Sequence, residues 1–185
     1  MTNSLDDLLD RAAAAALSLA AERPWTEISL RDIAAKAEVP LADLYAHAPG
    51  KSQVIDWLSR RFDLAALKSN EDEGPQAHDR LFEAVMRRLE AIEPHRAALI
   101  AVHHGEGVGP SITRWPLTAR ALLEGAGIDA SGARGAARVL AMTGVWARVL
   151  QVWRDDEGAL NRTMAEIDLR LKQMRQGLAR FGAGF

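Results

Sequence analysis

Apolar residues recur along most of the chain at three- and four-residue steps, the spacing of helices with one buried face. Leu5, Leu8, Leu9, Ala12, Ala16 and Leu19 share such a face and predict a helix over residues 5–22, ended by Pro24. Ala12 to Ala16 leave little side-chain bulk, so a second helix can approach closely. Ser29 and Asp32 have capping-box spacing, with Asp in place of the usual Glu or Gln, and predict a short helix over 30–37. Pro40 opens a second short helix over 41–47, since a proline is tolerated in the first turn. Pro49-Gly50 stops it, and a longer helix follows over 51–68 with Val54, Leu58 and Phe62 on one face, broadened by Ile55 and Trp57. The polar, acidic stretch 69–75, closed by Gly-Pro, reads as a linker and marks a domain boundary. Helices are expected beyond it over 77–92, 95–104, 111–126, 133–155 and 158–181. They are separated by Pro94, the 105–110 segment, Gly125-Gly127 and Gly158. The last two form an antiparallel hairpin of helices. The fold class is all-α.

Composition narrows the chemistry. The chain has 185 residues, 48% hydrophobic and 26% charged, a globular composition long enough to bury a core. Aromatics are only 5%, and runs of β-branched residues are missing, so strands have little support. There is no cysteine, which excludes disulfides, a thiol nucleophile and cysteine-ligated metals. The net charge of −2 gives no bulk attraction toward nucleic acid. No run is long and apolar enough for a membrane span, and Asp6 and Asp7 stand where a signal peptide carries positive charge. The expected location is the cytoplasm. No nucleophile–base–acid arrangement stands out, so an enzyme is not expected, and no cofactor is called for.

Two short helices joined by a tight turn and flanked by longer ones form a helix-turn-helix pattern. Ile33 and Ala34 of the first point inward, as does Leu44 of the second. Leu41, Ala42, Asp43, Tyr45 and His47 lie at or near the surface. The run from Ile28 to Lys51 resembles the TetR family of bacterial transcriptional regulators. Its most specific parts are Ile33-Ala34-x-x-Ala37 and Leu44-Tyr45-x-His47-x-Pro49-x-Lys51. The segments Arg80-Leu81-Phe82 to Arg88, Pro94-His95-Arg96-Ala97, Val152 to Asp156 and Thr163 to Leu171 look like one subfamily's ligand and dimer domain, so the resemblance covers nearly the whole chain.

The resemblance implies three parts: a DNA-binding helix-turn-helix domain over 1–50, a connecting helix over 51–70, and an effector-binding and dimerisation domain over 76–185. It implies a homodimer that places two recognition helices on a near-palindromic double-stranded DNA operator, released or recruited by a small apolar effector. Ser29, Arg31, Pro40, Leu41, Ala42, Asp43, Tyr45, His47 and Lys51 are the expected DNA-binding residues. His95, His103, Trp115, Met142 and Trp146 are expected to line the effector pocket. Val149, Trp153, Met164, Ile167 and Leu171, on the last two helices, are expected at the dimer interface.

The chain departs from the family pattern around the turn. Glu38 stands where Gly is usual, Pro40 replaces a Ser or Thr, Asp43 takes the place of a small hydroxyl residue, and Ala48 replaces an aromatic. Positions 22–62 carry six basic and six acidic side chains, whereas phosphate neutralisation normally supplies much of DNA affinity. A second reading follows from these departures. The final helices also resemble ubiquinone-biosynthesis accessory proteins of TetR fold, which bind lipid and not DNA. His103 and His104 are neighbours about 100° apart on a helix, a poor arrangement for one metal, and none is expected. Gly105 to Gly109 lacks the lysine and the preceding strand of a phosphate loop and reads as a connection.

Overall fold

A computed structural model describes residues 4–68, 74–107, 109–156 and 160–185. The predicted linker core at 69–73, Val108 of the glycine-rich connection, and Gly158 lie outside the described residues. Among those described the chain is helical, with no strand. The helices are α1 (Ser4–Glu22), α2 (Leu30–Lys36), α3 (Leu41–His47), α4 (Lys51–Ala66), α5 (Ala77–Ile92), α6 (Arg96–Glu106), α7 (Gly109–Gly125), α8 (Gly132–Arg154) and α9 (Asn161–Arg180). Two 3-10 turns, Trp25–Glu27 and Glu93–His95, were not legible in the periodicity, being shorter than one repeat of it. The all-α class and the order of the helices match the sequence reading.

The chain divides into two compact units. The first comprises residues 1–61 and 95–112, the second 62–94 and 113–185. In the first, α1 packs on α2, α3 and α6 through its alanine face, with Ala12 and Ala16 fully buried. Small side chains let these axes come close. Gly105 of α6 serves the same end, because a Cβ there would collide with the Trp25 side chain. Ile33 and Ala34 of α2, Leu44 of α3 and Val54 of α4 complete this core. In the second unit, α8 packs along α9, and α5 along α9. Leu81, Val85, Leu89, Met142, Trp146, Val149, Ile167 and Leu171 form its centre.

Local chemistry fixes the short helices. The Ser29 hydroxyl accepts from the Asp32 amide at 3.1 Å, and the Asp32 carboxylate accepts from the Ser29 amide at 2.8 Å, the predicted capping box. The Ser29 hydroxyl and amide, with Arg23 beyond them, hold the Asp32 carboxyl below its usual pKa. At the other end of α2, the Val39 amide donates to the Ala34 carbonyl at 3.0 Å and the Glu38 amide to that of Ala35 at 3.2 Å, a Schellman closure. That closure needs a left-handed residue, and Glu38 supplies it with φ 54°. Pro40 stands one place before α3 as its N-cap, so α3 begins without a side-chain cap. Helix α9 is capped from a distance. The buried Asp156 carboxylate accepts from the Thr163 amide and hydroxyl at 2.8 and 2.7 Å, beside a left-handed Leu160.

Candidate nucleic-acid interface

Helix α3 presents one polar face. With Leu44 buried beneath it, Ala42, Asp43, Tyr45, Ala46 and His47 are exposed, Leu41 is half-buried, and Tyr45 has 60% of its surface open. The structure thus brings the expected helix residues together on one side. Pro40 is exposed at the head of the same helix. Arg31 is exposed on the first turn of α2 and has no partner among the described residues.

The other candidates are engaged by the fold. Ser29 uses its hydroxyl in the capping box. The Lys51 ammonium donates to the carbonyls of Trp25 and Ile28 at 2.5 and 2.7 Å and lies 4.8 Å from the centre of the Trp25 ring. Partial burial lowers its pKa, and the nearby Glu106 carboxylate opposes that shift. Lys51 therefore braces the start of α4 against the chain leading into α2. Nearby cations are similarly occupied. Arg23 pairs with Asp32 at 3.3 Å and Lys36 with Glu22 at 3.7 Å. Arg11 donates to the Ala37 and Glu38 carbonyls at 2.5 and 2.8 Å. Arg23 and Lys36 thus face carboxylates, while Arg11 and Lys51 are held by backbone carbonyls.

The expected effector residues do not all fall in one unit. His95 and His103 belong to the first, Trp115, Met142 and Trp146 to the second. Met142 and Trp146 stand one turn apart on α8 and are fully buried, while Trp115 on α7 is half-buried. The rings of His103 and His104 are 6.2 Å apart and tilted by 54°. Among the described residues no group of three His, Asp or Glu side chains is placed to hold a metal ion.

Sequence reasoning missed a buried charge cluster in the second unit. The Arg88 guanidinium on α5 donates to the Asp63 carboxylate of α4 at 2.6 Å and to the Thr118 hydroxyl of α7 at 3.3 Å. The Thr118 hydroxyl donates in turn to Asp63 at 3.0 Å. The guanidinium carbon lies 4.5 Å from the centre of the Trp146 ring on α8. All four side chains are buried. Burial lowers the Arg88 pKa, Asp63 opposes that, and Arg114 adds a further lowering. The signal was present in the sequence: Arg88 interrupts the apolar stripe of Leu81, Ala84, Val85, Leu89 and Ile92. A charge on a core-facing position must find a partner.

Four of the five expected interface residues lie in the core of the single chain. Val149, Trp153, Ile167 and Leu171 are buried within the chain itself, because the facing helices α8 and α9 use their apolar stripes on each other and on α5. Met164, 40% exposed, is the exception. The outer faces of the same helices carry Leu140, 76% exposed, and Leu169. They also carry Gly144, where a Cβ would meet nothing in the chain. A mid-helix glycine costs about 0.5–1 kcal/mol relative to alanine, and no packing within the chain requires one here.

No family model matches the chain, and no curated protein does. A solved structure does: the crystal structure of a TetR transcriptional regulator from Rhodococcus sp. RHA1 superposes with a TM-score of 0.70. The match covers 93% of this chain and 97% of that one, at 16% sequence identity. An identity this low carries architecture and not residue roles, and on that evidence the chain has the fold of a TetR transcriptional regulator.

Proposed function

We propose that the chain is an effector-responsive DNA-binding regulator, a repressor, acting as a homodimer on a near-palindromic operator. The observation that carries this reading is α3 itself. It is a seven-residue helix with Leu44 locked in the core and Ala42, Asp43, Tyr45 and His47 facing outward, set behind α2 by a tight turn. In a helix-turn-helix the second helix enters the major groove and its N-terminal half meets base edges. Tyr45, His47 and Arg31 then serve phosphates and groove edges, and Leu41, Ala42 and Asp43 stand nearest the bases. Lys51 and Ser29 act indirectly, by fixing the unit.

A dimer would form through the outer faces of α8 and α9. Leu140 and Leu169 supply apolar area there, with Met164 on the flank of α9, and Gly144 permits close approach of a partner helix. Two recognition helices would then address half-sites about 34–36 Å apart, or a multiple. We place the reader in residues 1–50, the connecting helix in 51–70, and the effector and dimer functions in 76–185. A small apolar effector is expected against Trp115, Met142 and Trp146.

The internally engaged cations Arg11, Arg23, Lys36 and Lys51 favour a second reading, a lipid- or small-molecule-binding protein that no longer binds DNA. The two readings part in one experiment. Purified protein is mixed with sheared genomic DNA from its own source at low salt, retained fragments are sequenced, and organic extracts of the same preparation are analysed by mass spectrometry. The regulator reading predicts enrichment of a discrete promoter fragment. No enrichment together with a stoichiometric co-purified lipid supports the second reading.

A further inference from the structure

The side chains of α3 are unusual for a groove reader. The helix runs Leu41-Ala42-Asp43-Leu44-Tyr45-Ala46-His47, with no Arg, Lys, Asn or Gln. The two most informative base contacts are therefore unavailable to it: the bidentate pairing of Arg or Lys with guanine, and that of Asn or Gln with adenine. Asp43 is the polar side chain in its first turn, where base edges are met. It is exposed and has no hydrogen-bond or ionic partner among the described residues. Among the described residues no basic group pairs with it: Arg11, Arg23, Lys36 and Lys51 are directed at other acceptors, and Arg31 on α2 and His47 one turn along α3 are exposed without an ion pair to it. On either side, Ala42 and Ala46 are small and exposed, so the backbone of α3 can come close to the groove floor.

A carboxylate brought into the major groove accepts hydrogen bonds and offers none. Guanine N7 and O6 and thymine O4 are acceptors and repel it, and adenine's amine is flanked by the acceptor N7. Cytosine presents a donor, its N4 amine. The half-buried Leu41 and the exposed Ala42 beside Asp43 are apolar and suit the thymine methyl group. We infer that Asp43 is the specificity-determining residue of α3 and selects a cytosine in each half-site, with thymine methyls against Leu41 and Ala42. This rests on the DNA-binding reading. It adds that recognition is by pyrimidine edges, with repulsion of other sequences as part of the selection. Asp43 thus trades general affinity for discrimination, because the same charge that accepts from cytosine opposes the phosphates.

The test uses full-length protein and a pool of duplexes with randomised half-sites, selected at low salt with the wild type, Asp43→Ala and Asp43→Asn. Because Asp43 is exposed, all three are expected to fold, and circular dichroism checks this. The wild type should enrich one cytosine per half-site, and replacing it by thymine should weaken binding about tenfold. Asp43→Ala should lose that preference to within about twofold while binding unrelated duplexes more tightly. Asp43→Asn should move the preference to adenine. An identical motif from all three proteins overturns the role of Asp43 and leaves the regulator reading standing. A wild-type motif with no such cytosine does the same. If none of the three retains any duplex, both fall.

Discussion

Arg11 on α1 holds Glu38 by its backbone. The guanidinium donates at 2.8 Å to the Glu38 carbonyl and at 2.5 Å to that of Ala37, across 27 and 26 residues of sequence. Those carbonyls belong to the turn between α2 and α3, where Glu38 sits at φ 54°. A left-handed conformation costs a residue with a Cβ about 1–2 kcal/mol. The turn that sets α3 behind α2 is therefore strained in one residue and secured by a side chain from another helix.

Glu38→Gly should relieve that strain and stabilise the protein by about 1 kcal/mol, net of the entropy glycine adds to the unfolded chain. Arg11→Ala should destabilise it, because two turn carbonyls lose their donor. Urea unfolding of the two single variants and the double variant measures both effects. A destabilised Glu38→Gly would show that the Glu38 side chain matters more than its backbone.

The Arg88–Asp63 pair is buried and bridges α5 to α4. Asp63→Leu or Arg88→Met alone leaves one charge without its partner and should cost about 3–5 kcal/mol. Replacing both by apolar residues of similar volume, Asp63→Leu with Arg88→Met, should recover most of that loss. Denaturation of the four members of the cycle gives the coupling, and additive losses would contradict it.

Acid should weaken the hold on α9. Hydrogen bonds from the Thr163 hydroxyl and amide keep the Asp156 carboxyl below its usual pKa, and the Arg170 and Arg148 guanidinium groups do the same for Glu166. A carboxyl whose pKa is depressed by folding contributes stability above its unfolded value, about 3.9 for Asp. That contribution is lost as the pH falls through the lower, folded value. The melting temperature should therefore decline with pH below about 4. Asp156→Asn should melt below the wild type at neutral pH, and the gap should narrow in acid. A gap independent of pH would assign the Asp156 contribution to shape and not to charge.

Arg31 and Lys51, both basic and both within the family-like run, should behave differently on DNA. Arg31 is exposed and without a partner among the described residues, so Arg31→Ala should reduce the slope of log affinity against log salt by about 0.9 per site. Lys51→Met removes an internal brace, so it should lower stability and affinity with the salt slope unchanged. Equal slope changes would place Lys51 on phosphate.

Helix existence and order were legible because apolar spacing reports which face is buried. The start of α2 could be read from Ser29 and Asp32, three residues apart, and the resemblance marked the turn at Glu38, where Gly is usual. What periodicity could not supply was the choice among apolar stripes. Val149, Trp153, Ile167 and Leu171 have a spacing equally suited to an intrachain core and to an interface, and the core took them. The position of Lys51 in the sequence likewise suits two uses. A basic residue at a helix start suits a phosphate, yet the carbonyls of Trp25 and Ile28, more than twenty residues earlier, reach it first. Spacing could not pair Arg88 with Asp63, because the two lie 25 residues apart on different helices, although Arg88 occupies a core position of its own helix.

The proposed regulator needs two copies of α3 to address one duplex together. Hydroxyl-radical footprinting of the enriched promoter fragment at low salt tests it most directly. Two protected patches are expected on one face of the DNA, symmetric about a near-palindrome and about one helical turn apart or a multiple of it. Uniform cleavage along a fragment that the folded dimer was supposed to occupy, or a single unpaired patch, would contradict it.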